Sequence, residues 1–150
     1  MSRFLEKKEL PIKIKGRFIP EYQTKYSAGC DLHAEIDKPL ILKPGDFCAV
    51  PTGISIEIPD GYEAQVRPRS GLALKYGIGI LNSPGTIDSD YRGEIKVIMF
   101  NFGKKAFKIQ TGERIAQLVF SKVIRARFKK AKTLKKTKRG NKGFGHTGRF

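Results

Sequence analysis

The sequence predicts an all-β domain with one short helix. Apolar and polar residues alternate at Ile54-Ser-Ile-Glu-Ile and at Ile12-Lys-Ile, as in strands with one buried face. Three other strand-like runs are equally short: Glu63-Ala-Gln-Val, Ile95-Lys-Val-Ile-Met-Phe and Ile115-Ala-Gln-Leu-Val-Phe. Turn sequences rich in Pro, Gly and Asp separate these runs. Many short strands at such spacing predict a sandwich, a barrel or a jelly roll.

The predicted helix lies at Gly71-Leu-Ala-Leu-Lys-Tyr. Ser70 precedes it and is a good N-cap residue, because its hydroxyl can accept a hydrogen bond from a free backbone N–H. Gly77 follows it and can end a helix in the left-handed conformation. The spacing therefore predicts a helix capped by Ser70 and closed by Gly77.

The length of 150 residues fits one domain. No run of about 18 apolar residues is present, so we expect no membrane span. The first ten residues do not resemble a signal peptide. Cys30 and Cys48 form no CxxC pair, which predicts reduced thiols in a cytoplasmic protein.

The net charge of +16 is concentrated at the C-terminus. No acidic residue follows Glu113, and 13 of the 30 Lys and Arg residues lie from Arg114 onward. We therefore divide the chain into a β-rich domain, residues 1–128, and a basic glycine-rich segment, residues 129–150. Such a segment could bind nucleic acid, form a phosphate site or keep the protein soluble. Composition does not choose among these functions.

Five segments carry candidate chemistry: Ala28-Gly-Cys-Asp-Leu32, Arg67-Pro-Arg-Ser-Gly-Leu-Ala73, Asn82 to Glu94, Gly112-Glu-Arg-Ile-Ala-Gln-Leu118 and Arg139 to Gly148. In the first, Asp31 could cap a turn or lie near a hard cation such as Mg²⁺. In the second, Arg69, Ser70 and Gly71 could bind phosphate at the helix start, or belong to an ordinary capped helix with a solvated arginine.

The third segment contains Asp88 and Asp90, either of which could act as a base toward water. We expect that only one of them acts as the base. In the fourth, Arg114 is expected to form a structural ion pair, and Gln117 is an exposed strand residue or a polar ligand. The fifth combines glycines, cations and Phe144, which suits a nucleotide but also describes a disordered basic tail.

Together, in this order and at this spacing, the five segments resemble the five motifs of the trimeric dUTPase family. The resemblance runs from Ala28 to Gly148 and covers most of the chain. It implies a jelly-roll-like (β-clip) domain assembled as a homotrimer, with active sites between subunits and residues 129–150 closing as a lid. It also implies Mg²⁺-dependent hydrolysis of dUTP to dUMP and pyrophosphate, which supplies dUMP for dTMP synthesis and keeps uracil out of DNA.

The resemblance also implies residue roles. Asp88 matches the catalytic aspartate that orients the attacking water, and Tyr91 matches the ring under the deoxyribose, where a 2′-hydroxyl would collide. Asp31 would help to hold Mg²⁺ through water. The uracil-binding hairpin would comprise Asn82, Gly85, Thr86, Ile87, Ile95 and Lys96. The phosphate contacts would come from Arg69, Ser70, Gly71 and Gln117, and the lid contacts from Arg139, Phe144, Gly145, His146 and Thr147.

Two lid residues depart from the usual pattern of the family. Lys142 stands where a glycine is common, and His146 stands where a serine is common. Lys142 reduces backbone freedom but adds charge. His146 can still donate a hydrogen bond to the γ-phosphate.

Two other functions stay open at this point. A dCTP deaminase shares the fold but would need a differently built hairpin with a glutamate that activates water. A basic β-domain that binds nucleic acid would suit the charge, although aromatic residues spread over a sheet are not evident.

Overall fold

The computed structural model describes residues 9–149 and confirms an all-β chain with one short helix. Within these residues there are eleven strands and one helix. Their bounds are β1 Lys13–Lys15, β2 Cys30–His33, β3 Leu40–Leu42, β4 Phe47–Pro51, β5 Ser55–Glu57, β6 Tyr62–Arg67, α1 Ser70–Tyr76, β7 Ile78–Ile80, β8 Gly85–Ile87, β9 Lys96–Asn101, β10 Phe107–Ile109 and β11 Arg114–Lys122.

The strands form small antiparallel sheets rather than one large sheet. The largest has the order β2-β11-β6-β8, and a second has the order β4-β9-β7. Two pairs, β1-β5 and β3-β10, complete the arrangement. Most neighbours in a sheet are distant in sequence, so the chain crosses repeatedly between sheets, as in jelly rolls.

One apolar core lies between the sheets. It contains alternate residues of β9, including Val97 and Met99, together with Leu32 from β2 and Leu118 from β11. Successive strand side chains point to opposite faces, so the other residues of β9 face outward. This packing fixes β8 and β9, whose ends carry most of the third segment.

The helix α1 differs from the prediction at its start and agrees with it at its end. The N-cap residue is Arg69, with extended backbone and no side-chain capping bond, so the prediction of Ser70 as the cap is wrong. Ser70 instead occupies the first helical position, where its own N–H is one of the unpaired donors. Gly77 ends the helix in the left-handed conformation, with φ of 69°, and its N–H bonds back to the helix as predicted.

A β-bulge interrupts the pairing of β11 with β2 between Arg114 and Ala116. Ile115 and Ala116 are consequently both buried although they are neighbours. The regular alternation of buried and exposed residues in a strand is therefore lost at the start of β11. The bulge leaves Arg114 able to reach β2, where it contacts a buried carboxylate.

Both cysteines are free thiols. Cys30 is buried, and burial raises the pKa of its thiol; the thiol also donates to the Leu118 carbonyl at 3.5 Å. Burial likewise raises the pKa of the half-buried Cys48. Within residues 9–149, no helix is long and apolar enough to cross a membrane.

Candidate functional site

A pocket of about 540 Å³ opens beside β8, the loop that follows it and the start of β9. It brings together eight of the predicted site residues: Asn82, Gly85, Thr86, Ile87, Asp88, Tyr91, Ile95 and Lys96. Its other walls are Ala49, Val66, Glu94 and Ile98. Asp90 does not line the pocket, so only one of the two loop carboxylates faces it.

The loop after β8 turns so that Tyr91 returns to the pocket. The Tyr91 N–H donates to the Asp88 carbonyl at 3.1 Å, and the Tyr91 hydroxyl donates to the Glu94 carbonyl at 2.9 Å. A Cβ atom on Gly93 would overlap the Tyr91 ring and hydroxyl, so a larger residue here would displace the ring. Gly93 was not among the predicted site residues, although a glycine between Tyr91 and Glu94 indicates a tight turn at this point of the sequence.

The backbone of Ile95 is held from inside the domain. Its carbonyl accepts from the buried Thr52 hydroxyl at 2.5 Å and from the Thr52 N–H at 3.2 Å. Its own N–H donates to the Ile54 carbonyl at 2.8 Å. Both backbone groups are therefore already paired, and Thr52 is a positioning residue that the sequence did not indicate.

A second cluster lies on β2, β11 and the start of α1. Asp31 is almost buried, with its side chain 10% exposed. One carboxylate oxygen lies 3.3 Å from Arg69 Nε, and the other accepts from Arg114 Nη1 at 3.1 Å. Arg69 also donates to the Arg114 carbonyl at 2.9 Å. The expected ion pair of Arg114 is confirmed, and its partner is the predicted metal-binding acid.

The Gln117 side chain bonds to the backbone just before α1. Its amide nitrogen donates to the Pro68 carbonyl at 3.0 Å. A Cβ atom on Gly29 would overlap the Gln117 amide, so the close approach depends on glycine. Ser70 and Gly71 lie close to Pro68 in the sequence and are exposed.

The two clusters are separate in a single chain. None of Asp31, Arg69 and Gln117 lines the pocket. Strand β6 borders both clusters, because Gly85 of the pocket pairs with Val66 whereas Gln117 pairs with Arg67. The two clusters therefore flank neighbouring residues of β6 without sharing a lining residue.

Residues 123–149 add no strand or helix and are almost entirely exposed. Phe144 is fully exposed, and neither it nor Arg139 lines the pocket. The segment contains local turns; for example, Arg139 Nε donates to the Lys142 carbonyl at 3.0 Å, and the His146 N–H donates to the Gly143 carbonyl at 3.1 Å. The chain therefore places the predicted lid residues near one another but not against its own pocket.

The donors available for a metal are few. In the described part of the chain, no group of three or more His, Cys, Asp or Glu side chains is placed to hold a metal ion. Each Asp31 oxygen already faces a guanidinium group, which leaves the remaining lone pairs for water. Asp31 could therefore contact a cation such as Mg²⁺ only through water.

The chain is a small antiparallel β domain whose pocket presents Asp88, Glu94 and the ring of Tyr91, with a separate arginine cluster around Asp31. Residues 17–148 match the family model described as dUTPase, so the chain belongs to the dUTPase family.

Named relatives agree with this assignment. A deoxyuridine 5′-triphosphate nucleotidohydrolase of Chlamydia pneumoniae is 60% identical over 134 residues, covering 89% of this chain and 92% of that protein. A protein of the same name from Thermoanaerobacter sp. (strain X514) is 55% identical over 130 residues, covering 87% and 88%.

Solved structures confirm the fold. The dUTPase of Staphylococcus bacteriophage 80alpha with dUpNHpp aligns with a TM-score of 0.83 at 25% identity, covering 92% of this chain and 98% of that one. A mutant dUTPase of phage phi11 of S. aureus, described as coordinating a structural Mg(II) ion, aligns with a TM-score of 0.73 at 21% identity, covering 82% and 97%. The predicted jelly-roll-like dUTPase fold with one short helix is therefore correct.

Proposed function

We propose that this protein hydrolyses dUTP to dUMP and pyrophosphate, which supplies dUMP for dTMP synthesis and keeps uracil out of DNA. The observation that carries the proposal is the match to the dUTPase family over residues 17–148, which includes all five candidate segments. The pocket that contains Asp88 and Tyr91 supports it. The remaining roles below follow from the chemistry of these side chains.

Asp88 is the proposed general base. Its exposed carboxylate lines the pocket, where it can accept a hydrogen bond from a water and orient it toward the α-phosphorus. The attack breaks the bond between the α-phosphorus and the bridging oxygen, and pyrophosphate leaves. The water proton passes to Asp88.

Tyr91 is the proposed sugar-binding residue. Its backbone N–H donates to the Asp88 carbonyl, and its ring is fixed through the hydroxyl, which donates to the Glu94 carbonyl. A fixed ring cannot retreat from a 2′-hydroxyl, so it excludes UTP by collision. Asn82, Gly85, Thr86 and Lys96 would form the wall for uracil, while Ile87 and Ile95, both buried, would support that wall from inside.

The choice of base follows from hydrogen bonding. Uracil presents acceptor, donor and acceptor groups along its pairing edge, and cytosine reverses two of them. A site built for uracil would leave polar groups unpaired with cytosine, which costs a factor of about 10⁴ or more.

Four residues are proposed to bind the phosphates: Arg69, Ser70, Gly71 and Gln117. Five lid residues are proposed to close over the nucleotide: Arg139, Phe144, Gly145, His146 and Thr147. Arg69 already contacts the Asp31 carboxylate and the Arg114 carbonyl, so its guanidinium group would be oriented before the substrate binds. When bound, Mg²⁺ supplies charge stabilisation to the phosphates. Asp31 would hold its water shell.

We also propose a homotrimer in which each active site is shared between subunits. Supporting this, one chain keeps its acid-bearing pocket, its arginine cluster and its C-terminal segment apart. Many large apolar side chains are also exposed in the isolated chain, among them Ile41, Phe47, Leu74 and Phe102. The division into a catalytic domain, residues 1–128, and a lid, residues 129–150, is part of the same proposal.

The test is to incubate the protein separately with dUTP, dCTP, dTTP and UTP in the presence of Mg²⁺. We expect dUMP and pyrophosphate from dUTP alone, and their loss in Asp88→Asn. Asp90→Asn is the matched control, because Asp90 lies in the same loop but outside the pocket. Ammonia from dCTP would instead establish a deaminase, and equal loss in both variants would remove Asp88 from its proposed role.

A further inference from the structure

The C-terminal segment carries far more positive charge than a nucleotide lid requires. Between Lys122 and Lys138 there are nine Lys and Arg residues and no acid. The lid motif itself, from Arg139 to Gly148, adds Arg139, Lys142 and a histidine. A nucleoside triphosphate offers only three phosphate groups, which leaves most of the nine cations before Arg139 without a phosphate partner.

These cations are exposed and are not neutralised within the described chain. All residues from 122 to 138 are exposed. The three salt bridges found in residues 9–149 involve Lys13, Arg69 and Arg114, and none involves a cation between Lys122 and Lys138. The rest of the protein cannot neutralise this run, because up to Glu113 the acids are already matched by basic residues.

We propose that residues 122–138, here called the basic arm, bind the phosphate backbone of nucleic acid without sequence preference. This binding is separate from dUTP hydrolysis. Lys and Arg that contact backbone phosphates release condensed counterions, and this release supplies nonspecific affinity. No aromatic platform is needed, since the contacts are to phosphates rather than to bases.

The length of the arm suits a duplex. Its most basic stretch, Lys129–Lys138, can extend to about 33 Å at 3.3 Å per residue. Over that length B-DNA presents about 19 phosphate charges, and the distance is close to one helical turn. Each of the six lysines in this stretch can therefore reach a phosphate along one edge of a DNA groove.

An acidic membrane surface is less suitable as the partner. Basic segments that lie on membranes are usually helices with an apolar face. Residues 123–149 contain no helix, so the arm lacks the helical apolar face of such segments. A segment without helix or strand can instead follow a chain of phosphates with its lysines.

The test compares two variants of equal net charge. The arm variant replaces six lysines with glutamine: Lys129, Lys130, Lys132, Lys135, Lys136 and Lys138. The body variant replaces six exposed lysines of the β domain: Lys15, Lys38, Lys43, Lys104, Lys105 and Lys108. Fluorescence anisotropy measures binding of labelled random-sequence duplex DNA, of its single strand and of phosphatidylserine vesicles, without dUTP. The thermal unfolding midpoint checks that each variant is folded.

We expect the parent and the body variant to bind the duplex, with affinity falling by about 10³-fold or more between about 50 and 200 mM salt. In the arm variant the slope of log K against log salt should fall by about 5, with 0.9 lost per phosphate contact. Binding to the single strand should show a shallower slope, of about 0.7 per contact.

Three results would overturn the proposal: no duplex binding by the parent at low salt, equal losses in the two variants, or binding to vesicles without binding to DNA. Because dUTP is absent, none of these results depends on the proposed hydrolysis. A protein that binds DNA through the arm but does not turn over dUTP would support this inference and contradict the proposed function.

Discussion

Asp31→Asn removes a single negative charge that lies 3.3 Å from Arg69 and 3.1 Å from Arg114, while the shape of the side chain is kept. Removing one partner of a buried ion pair costs about 3–5 kcal/mol, whereas exposed pairs contribute about 0–1 kcal/mol. The Asp31 side chain is 10% exposed, but those of Arg69 and Arg114 are 29% and 42% exposed. We therefore expect an intermediate loss of about 2–3 kcal/mol in the free energy of unfolding.

Urea unfolding followed by circular dichroism measures this loss, at one protein concentration because association contributes to stability. Asp60→Asn is the control, since Asp60 is exposed in a turn and has no ion pair within residues 9–149. The double variant Asp31→Asn with Arg114→Met should lose less than the sum of the single variants, by about 0.5–3 kcal/mol. A stability of Asp31→Asn within about 0.5 kcal/mol of the parent would refute the structural role.

The same variant separates the structural role from the proposed role at the metal. If Asp31 holds the water shell of Mg²⁺, the half-saturating Mg²⁺ concentration for dUTP hydrolysis should rise in Asp31→Asn. Arg114→Met should lower stability without this change in Mg²⁺ dependence. An unchanged Mg²⁺ dependence in a destabilised Asp31→Asn would assign the residue to the ion-pair cluster alone.

Three more predictions follow from the contacts. Thr52→Val should lower the free energy of unfolding by about 1 kcal/mol, because the Ile95 carbonyl keeps only its backbone donor, whereas Thr52→Ser should keep the bond; equal urea midpoints for all three proteins would contradict this. Iodoacetamide should modify Cys48 well before Cys30 in a mass-spectrometric time course, because Cys30 is only 3% exposed and burial raises the pKa of its thiol; equal rates would argue against that packing. His146→Ser should change KM for dUTP and leave kcat largely intact in steady-state kinetics, and a loss of kcat by several orders of magnitude would be inconsistent with a γ-phosphate contact.

Local sequence signals predicted some elements well. The alternation at Ile54-Ser-Ile-Glu-Ile lies on β5, and Gly77 ends α1 because glycine adopts positive φ without a steric cost. Alternation does not indicate strands that are buried on both faces. Strand β2 has three consecutive buried residues, Cys30, Asp31 and Leu32, since it pairs with β11 inside the domain.

Long-range contacts were beyond the reach of such signals. Asp31 and Arg114 are 83 positions apart, and nothing in either segment specifies that the two side chains meet. Thr52 and Ile95 likewise join two strands through a single buried hydroxyl. The pattern of residue types indicated which segments carry chemistry, whereas only the fold shows which side chains are already engaged by one another.

The separation of charges along the chain has a physical consequence for the proposed trimer. The pocket of each subunit offers Asp88 and Glu94, whereas the C-terminal segment is free of acids after Glu113. A segment with this charge is attracted to a triphosphate more strongly than to an empty acidic pocket, because the nucleotide adds several negative charges at once. Closure of the lid residues Arg139 to Gly148 would therefore depend on bound substrate. The extra cations of the basic arm would stay available to a second polyanion outside the site. Because the basic arm leads directly into Arg139, a duplex bound to the arm should hinder closure of the lid, and so slow dUTP capture, at low salt but not at high salt.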